Sequence, residues 1–200
     1  MSYEISSFDT RNRLVAMQAT AHACAAAAVA DVVADLIGVT TGVGIGQIQQ
    51  DLITDLGGLA VQGTTLERVA ACAWQRYHDA LAVYKPFRGS WERALNLVSA
   101  TGGVVVGLAP SSGQGEGHAV RLLGSLRPLR QPDEDPCIAD LIHPPAFSAA
   151  FHTVQYFDPD PGRPRGKRGP VFVEPHGALR PRFEGFPGSQ VLYIERKGPA

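Results

Sequence analysis

A glutamine, Gln18, stands six residues before a cysteine, Cys24, and the cysteine opens a run of small residues, Ala25-Ala26-Ala27-Ala28-Val29-Ala30. Amides in the first turn of a helix carry partial positive charge, which favours thiolate over thiol. The Gln18 carboxamide can donate a hydrogen bond to an oxyanion forming above the sulfur. Two later pieces fit the same chemistry: His118 within Gly117-His118-Ala119-Val120, and Asp158 within Tyr156-Phe157-Asp158-Pro159. An imidazole held on a strand beside a helix-borne thiol has the geometry of a general base. A carboxylate at the exit of a strand can hold that imidazole in its productive tautomer. The chemistry is attack of a thiolate on a carbonyl, an acyl transfer. Asp160 and Asp140 stand as alternatives to Asp158 for the third role.

The remaining reactive residue types form no second constellation. Three cysteines, Cys24, Cys72 and Cys137, are an odd number without regular spacing, which argues against a disulfide framework. His22 is two residues from Cys24, and neighbours at that spacing do not face each other on a helix. His143, His152 and His176 lack metal-ligand spacing, so neither a metal nor a cofactor is expected. Gly42-Val43-Gly44-Ile45-Gly46 has glycine spacing like that of a dinucleotide loop, but no clear strand precedes it, and it reads as punctuation. Cys72, Trp74 and Trp91 read as packing residues.

These side chains need elements to hold them. Cys24–Ile37 predicts a helix apolar nearly all round except at Asp31 and Asp35, hence a buried, central one, stopped by Gly38. A second helix is expected over 47–56, closed by Gly57-Gly58. A third starts at a Thr64/Glu67 capping box and runs to about Tyr84. A fourth runs from Ser90 to about Ala100. Strands are expected at Val104–Leu108 and His118–Leu123, joined as a hairpin by the glycine-rich loop Ser111–Gly117. Further strands are expected at Thr153–Phe157, Val171–Glu174 and Gln190–Glu195. Helices first and antiparallel strands second is the order of an α+β domain. Residues 1–13 read as a polar lead-in, and 125–150 as an irregular, Pro- and charge-rich insertion.

Two hundred residues, 44% hydrophobic and 18% charged, are the size and composition of a single soluble domain. A net charge of −1 gives no bulk attraction to nucleic acid or membrane, and Arg163, Arg165, Lys167 and Arg168 read as a solvated basic loop. No secretory signal and no long apolar span is visible. The expected setting is cytoplasmic, or export by a machine that does not use such a signal.

Gln18-x5-Cys24 at a helix start, Gly117-His118-Ala119-Val120 on a strand and Phe157-Asp158-Pro159 resemble the papain-like cysteine peptidase superfamily. By texture the chain is similar to its compact bacterial members, which include double-glycine leader peptidases and secreted effector proteases. Gly102-Gly103-Val104-Val105-Val106 ahead of Gly117–Val120 adds to the likeness, which spans about residues 14–162. The resemblance implies a helical half bearing the thiol and a sheet half bearing histidine and aspartate, with the site between them. It implies Gln18 as oxyanion donor, Cys24 as nucleophile, His118 as base and then acid, and Asp158 as orienter, acting on a peptide or protein substrate. Ala25 departs from the Gly or Trp that often follows the cysteine, and the 40 residues from His118 to Asp158 exceed the usual interval. The same site chemistry serves a glutamine deamidase, and the same fold serves a catalytically silent binding module.

Overall fold

The computed structural model describes residues 19, 22–58, 64–98, 102–109, 117–126, 153–159 and 171–198. Among them are five helices and six strands, an α+β arrangement. The helices are α1 (Cys24–Ile37), α2 (Gly42–Asp55), α3 (Leu66–Tyr77), α4 (Trp91–Asn96) and α5 (His176–Glu184). The strands are β1 (Leu81–Val83), β2 (Gly102–Leu108), β3 (His118–Leu126), β4 (Thr153–Phe157), β5 (Val171–Pro175) and β6 (Val191–Arg196). They form one antiparallel sheet in the order β1-β6-β2-β3-β4-β5.

Alanine has the highest helix propensity, and the run after Cys24 folds accordingly. Gly38 ends α1 in the left-handed region, φ 79°, its N–H directed to the carbonyls of Ala34 and Asp35. The glycines at 42, 44 and 46 do not punctuate the chain, as the sequence suggested; they lie inside α2. Thr41 caps that helix by accepting from the Gly44 N–H at 3.1 Å. Ile45, Ile48, Gln49, Leu52 and Ile53 form its buried stripe, whose burial outweighs the entropic cost of helical glycine.

The α3 cap is Thr65 rather than Thr64, its hydroxyl accepting from Arg68 N–H at 3.4 Å. This helix ends at Tyr77, not near Tyr84, because Leu81–Val83 pairs with β6 instead. The α4 helix is likewise shorter than expected and ends at Asn96, capped at its start by Ser90. Two elements were not expected at all: β1, and α5, whose internal Pro181 removes a helical N–H and hides it from propensity.

Side chains alternate across the sheet and so face two cores. Val105, Ala119, Leu192 and Ile194 pack with α1, α2 and α3. Val104, Val106, Leu108, Val120, Leu122, Tyr156 and Val191 pack with Trp91 of α4 and Leu179 and Phe183 of α5. The sheet is thus covered on both faces, and the expected division into a helical half and a sheet half is too simple. Trp91 is a packing anchor, its ring 5.5 Å from that of Phe183. Trp74, expected to be one, is 57% exposed. No helix among the described residues is long and apolar enough to cross a membrane. Residues 1–13 of the expected lead-in and 127–150 of the expected insertion lie outside the described residues; 125 and 126 belong to β3.

Close approach of α1 to β2 depends on Gly103. A Cβ there would lie 2.5 Å from Cγ1 and 2.9 Å from Cγ2 of Val32. Gly103→Ala is predicted to destabilise the protein by about 1–3 kcal/mol through overpacking. In a denaturant-unfolding double-mutant cycle, Val32→Ala should recover part of that loss; strictly additive effects would show that the two positions do not compete for this space.

Candidate active site

Cys24 is the first residue of α1, partly exposed, at an end where Ala23 provides no side-chain cap and the first turn holds no acidic residue. The positive end of the helix dipole is therefore not offset by a carboxylate of that turn. The amides of that turn are available to an oxyanion forming beside the sulfur.

His118 opens β3. Gly117 before it admits the Phe186 ring, since a Cβ would lie 2.8 Å from Phe186 Cε1. The Ala109 N–H donates to the Arg182 carbonyl at 2.9 Å, and the Arg182 guanidinium donates to the Ala109 carbonyl at 2.9 and 3.1 Å. Helix α5 thereby fixes the end of β2 beside Leu108, the residue paired with His118.

Asp158 follows β4 directly. Phe157 is level with Arg121, so one residue further on Asp158 is level with Val120, two positions from His118 on the same side of the sheet. The antiparallel return of β4 along β3 brings together residues 40 apart in the chain. His118 Nε2 and Asp158 Oδ1 are 2.6 Å apart, with the carboxylate fully buried and the imidazole side chain 18% exposed.

The other side of His118 meets Cys24, to whose side chain it is hydrogen-bonded. With Nε2 engaged by Asp158, the ring nitrogen left for the sulfur is Nδ1. Burial alone would push the imidazole toward its neutral form. The hydrogen bonds to Asp158 and Cys24 and their negative charge more than reverse this, raising the pKa to about 9. Cys72, by contrast, is held as a thiol, because burial and the Asp55 carboxylate push its pKa up against the pull of Arg68 and Arg76.

The structure thus brings together Cys24, His118 and Asp158. Gln18, Asp140 and Asp160 lie outside the described residues, as do Cys137, His143 and His152. His22 sits exposed in the turn before α1. Sequence reasoning overlooked a charged group one layer inward. Arg121 of β3 reaches Asp31 and Asp35 of α1, with Nη1 2.8 Å from the Asp31 carbonyl and 2.6 Å from its Oδ2. Nη2 meets Asp35 Oδ2. A single cation in an apolar strand, with two aspartates four apart on an otherwise apolar helix, was the available signal. No protein-family model matches the chain, and a search of curated proteins finds no significant match.

The raised pKa makes protonated His118 a stabilising group. Its contribution is complete below the unfolded-state value near 6.5 and is lost as pH rises through about 9. NMR of the imidazole is predicted to show it protonated at neutral pH and titrating near 9. Asp158→Asn is predicted to lower that value and to remove about 1–3 kcal/mol of stability at pH 6, with a smaller loss at pH 10. An unshifted titration in Asp158→Asn would contradict the assigned pair.

Proposed function

We propose that this protein is a papain-like cysteine peptidase hydrolysing peptide bonds through Cys24, His118 and Asp158. The observation that carries the reading is His118 placed between a buried carboxylate at 2.6 Å and the thiol at the start of α1. A merely structural histidine has no need of both neighbours. A nucleophile, a base beside it and a third group orienting the base are the minimum for covalent acyl transfer.

The Cys24 thiolate attacks the scissile carbonyl carbon, and the carbonyl oxygen takes the negative charge. Backbone amides at the start of α1, together with Gln18 as the resemblance implies, hold that oxyanion. Collapse breaks the C–N bond as imidazolium His118 gives its proton to the leaving amine, leaving a thioester on Cys24. His118, now neutral, takes a proton from water. The resulting hydroxide adds to the thioester, and the acid and thiolate are released. Asp158 keeps Nδ1 directed at the sulfur throughout.

Incubation with a peptide library from a whole-cell digest, read by mass spectrometry, tests the reading. Wild type is predicted to produce new peptide termini that Cys24→Ala does not, with His118→Ala slower by about 10²–10⁴-fold. Conversion of glutamine side chains to glutamate without cleavage would reassign the site to deamidation. Neither change with wild type would leave the silent binding module as the better reading.

A further inference from the structure

The peptidase reading needs α1 and β3 held so that sulfur meets imidazole, and apolar packing, being non-directional, is only part of what can fix this. The buried surface of α1 mixes alanines, Ala25, Ala26, Ala28, Ala30 and Ala34, with Val29, Val32, Val33 and Leu36. Alanines allow close approach but give shallow ridges, so the steric part of the axial restraint rests on larger side chains such as Val32, seated against Gly103 of β2. The polar contacts between α1 and β3 add a directional restraint on axial position that apolar packing lacks.

Those contacts are spaced to match the site. Asp31 and Asp35 are seven and eleven residues beyond Cys24, on the same stripe of the helix. Cys24 to Asp31 spans about 10 Å of helix axis, and His118 to Arg121, which start from opposite sides of the strand, about 10 Å of strand. Helix and strand touch at both ends of that interval: Cys24 with His118, and Asp31 with Arg121. The Arg121 side chain is 7% exposed and Asp31 1%, so this contact is sheltered from solvent screening. Asp35 is 48% exposed and lies one turn further on. A planar guanidinium engaging carboxylates on consecutive turns fixes both rotation and translation of the helix.

We propose that Arg121 is a positioning residue of the active site, its fork to Asp31 and Asp35 setting the axial register of α1 on β3 and hence the alignment of Cys24 with His118. The proposal rests on the peptidase reading, since it gives the register a catalytic purpose. It goes further in assigning that purpose to three residues that contact neither substrate nor the reacting atoms.

The test is the rate of iodoacetamide alkylation at Cys24 relative to Cys72 in the same molecule, resolved by mass spectrometry. It is run on the full chain as wild type, His118→Ala, Arg121→Lys and the double variant Arg121→Met/Asp31→Leu. Replacing both members of a buried ion pair by apolar residues commonly preserves folding, whereas removing one strands a charge. The double variant is expected to unfold cooperatively yet lose at least about tenfold in the Cys24:Cys72 ratio, approaching His118→Ala. Arg121→Lys keeps the charge without the fork, and is expected to lose about threefold. A folded double variant with the wild-type ratio overturns the positioning role and leaves the peptidase reading standing. If the double variant does not fold, an unchanged ratio in Arg121→Lys overturns it equally. A wild-type ratio that His118→Ala does not alter overturns the peptidase reading, and the positioning role with it.

Discussion

Burial of α1 is the constraint on which the rest of the structure depends. A helix with so little polar surface must be enclosed, and β2, β3 and β6 beneath it, with α2 and α3 around it, enclose it. Gly103 gives it room to settle on β2, and Arg121 answers the Asp31 carboxylate it carries inward and that of half-exposed Asp35. Asp35 and Ile37 emerge at its C-terminal end, and Cys24 is partly exposed at the other, where helical amides lack a side-chain cap. The thiol is therefore fixed by the core rather than by a loop, a secure footing for a group that must meet a partner at hydrogen-bond distance.

The sheet supplies that partner through its topology. Residues far apart in sequence become neighbours because β4 runs back along β3, and Asp158 falls just past the last residue pair of that ladder. Its full burial strengthens the hydrogen bond to His118, since little water competes for it. Two charged contacts thus lie along β3, one at its first residue and one at Arg121, and both involve α1 or its first side chain. Chemistry and architecture share the same two elements.

Much of this was legible in the chain. Cys24–Ile37 was bounded correctly because alanine propensity, apolar burial and a terminal glycine all point the same way. Thr153–Phe157 was as plain, polar and apolar residues alternating over Thr-Val-Gln-Tyr and ended by Asp-Pro after Phe157. Helix α2 was misjudged at its start because three glycines outweighed an apolar stripe that only tertiary packing rewards. The overextended α3 shows the converse: helical periodicity continued through residues that β6 claims as a strand partner. Pro181 concealed α5, and a three-residue strand such as β1 has too little sequence to announce itself. At the site, the structure brings together Cys24, His118 and Asp158, three residues that type and local context single out in the sequence. Arg121 was missed because its role lies in a pairing across 90 residues that neither local segment reveals.

The central claim is that Cys24 and His118 act as one unit, thiolate beside imidazolium. Labelling with a peptidyl epoxide tests this most directly, because ring opening needs a sulfur nucleophile and a proton donor at the same place. The account predicts modification of Cys24 at neutral pH, with Cys72 and Cys137 spared, and loss of that reaction in His118→Ala. Cys24 reacting no faster than the other two cysteines, and equally in His118→Ala, would contradict it.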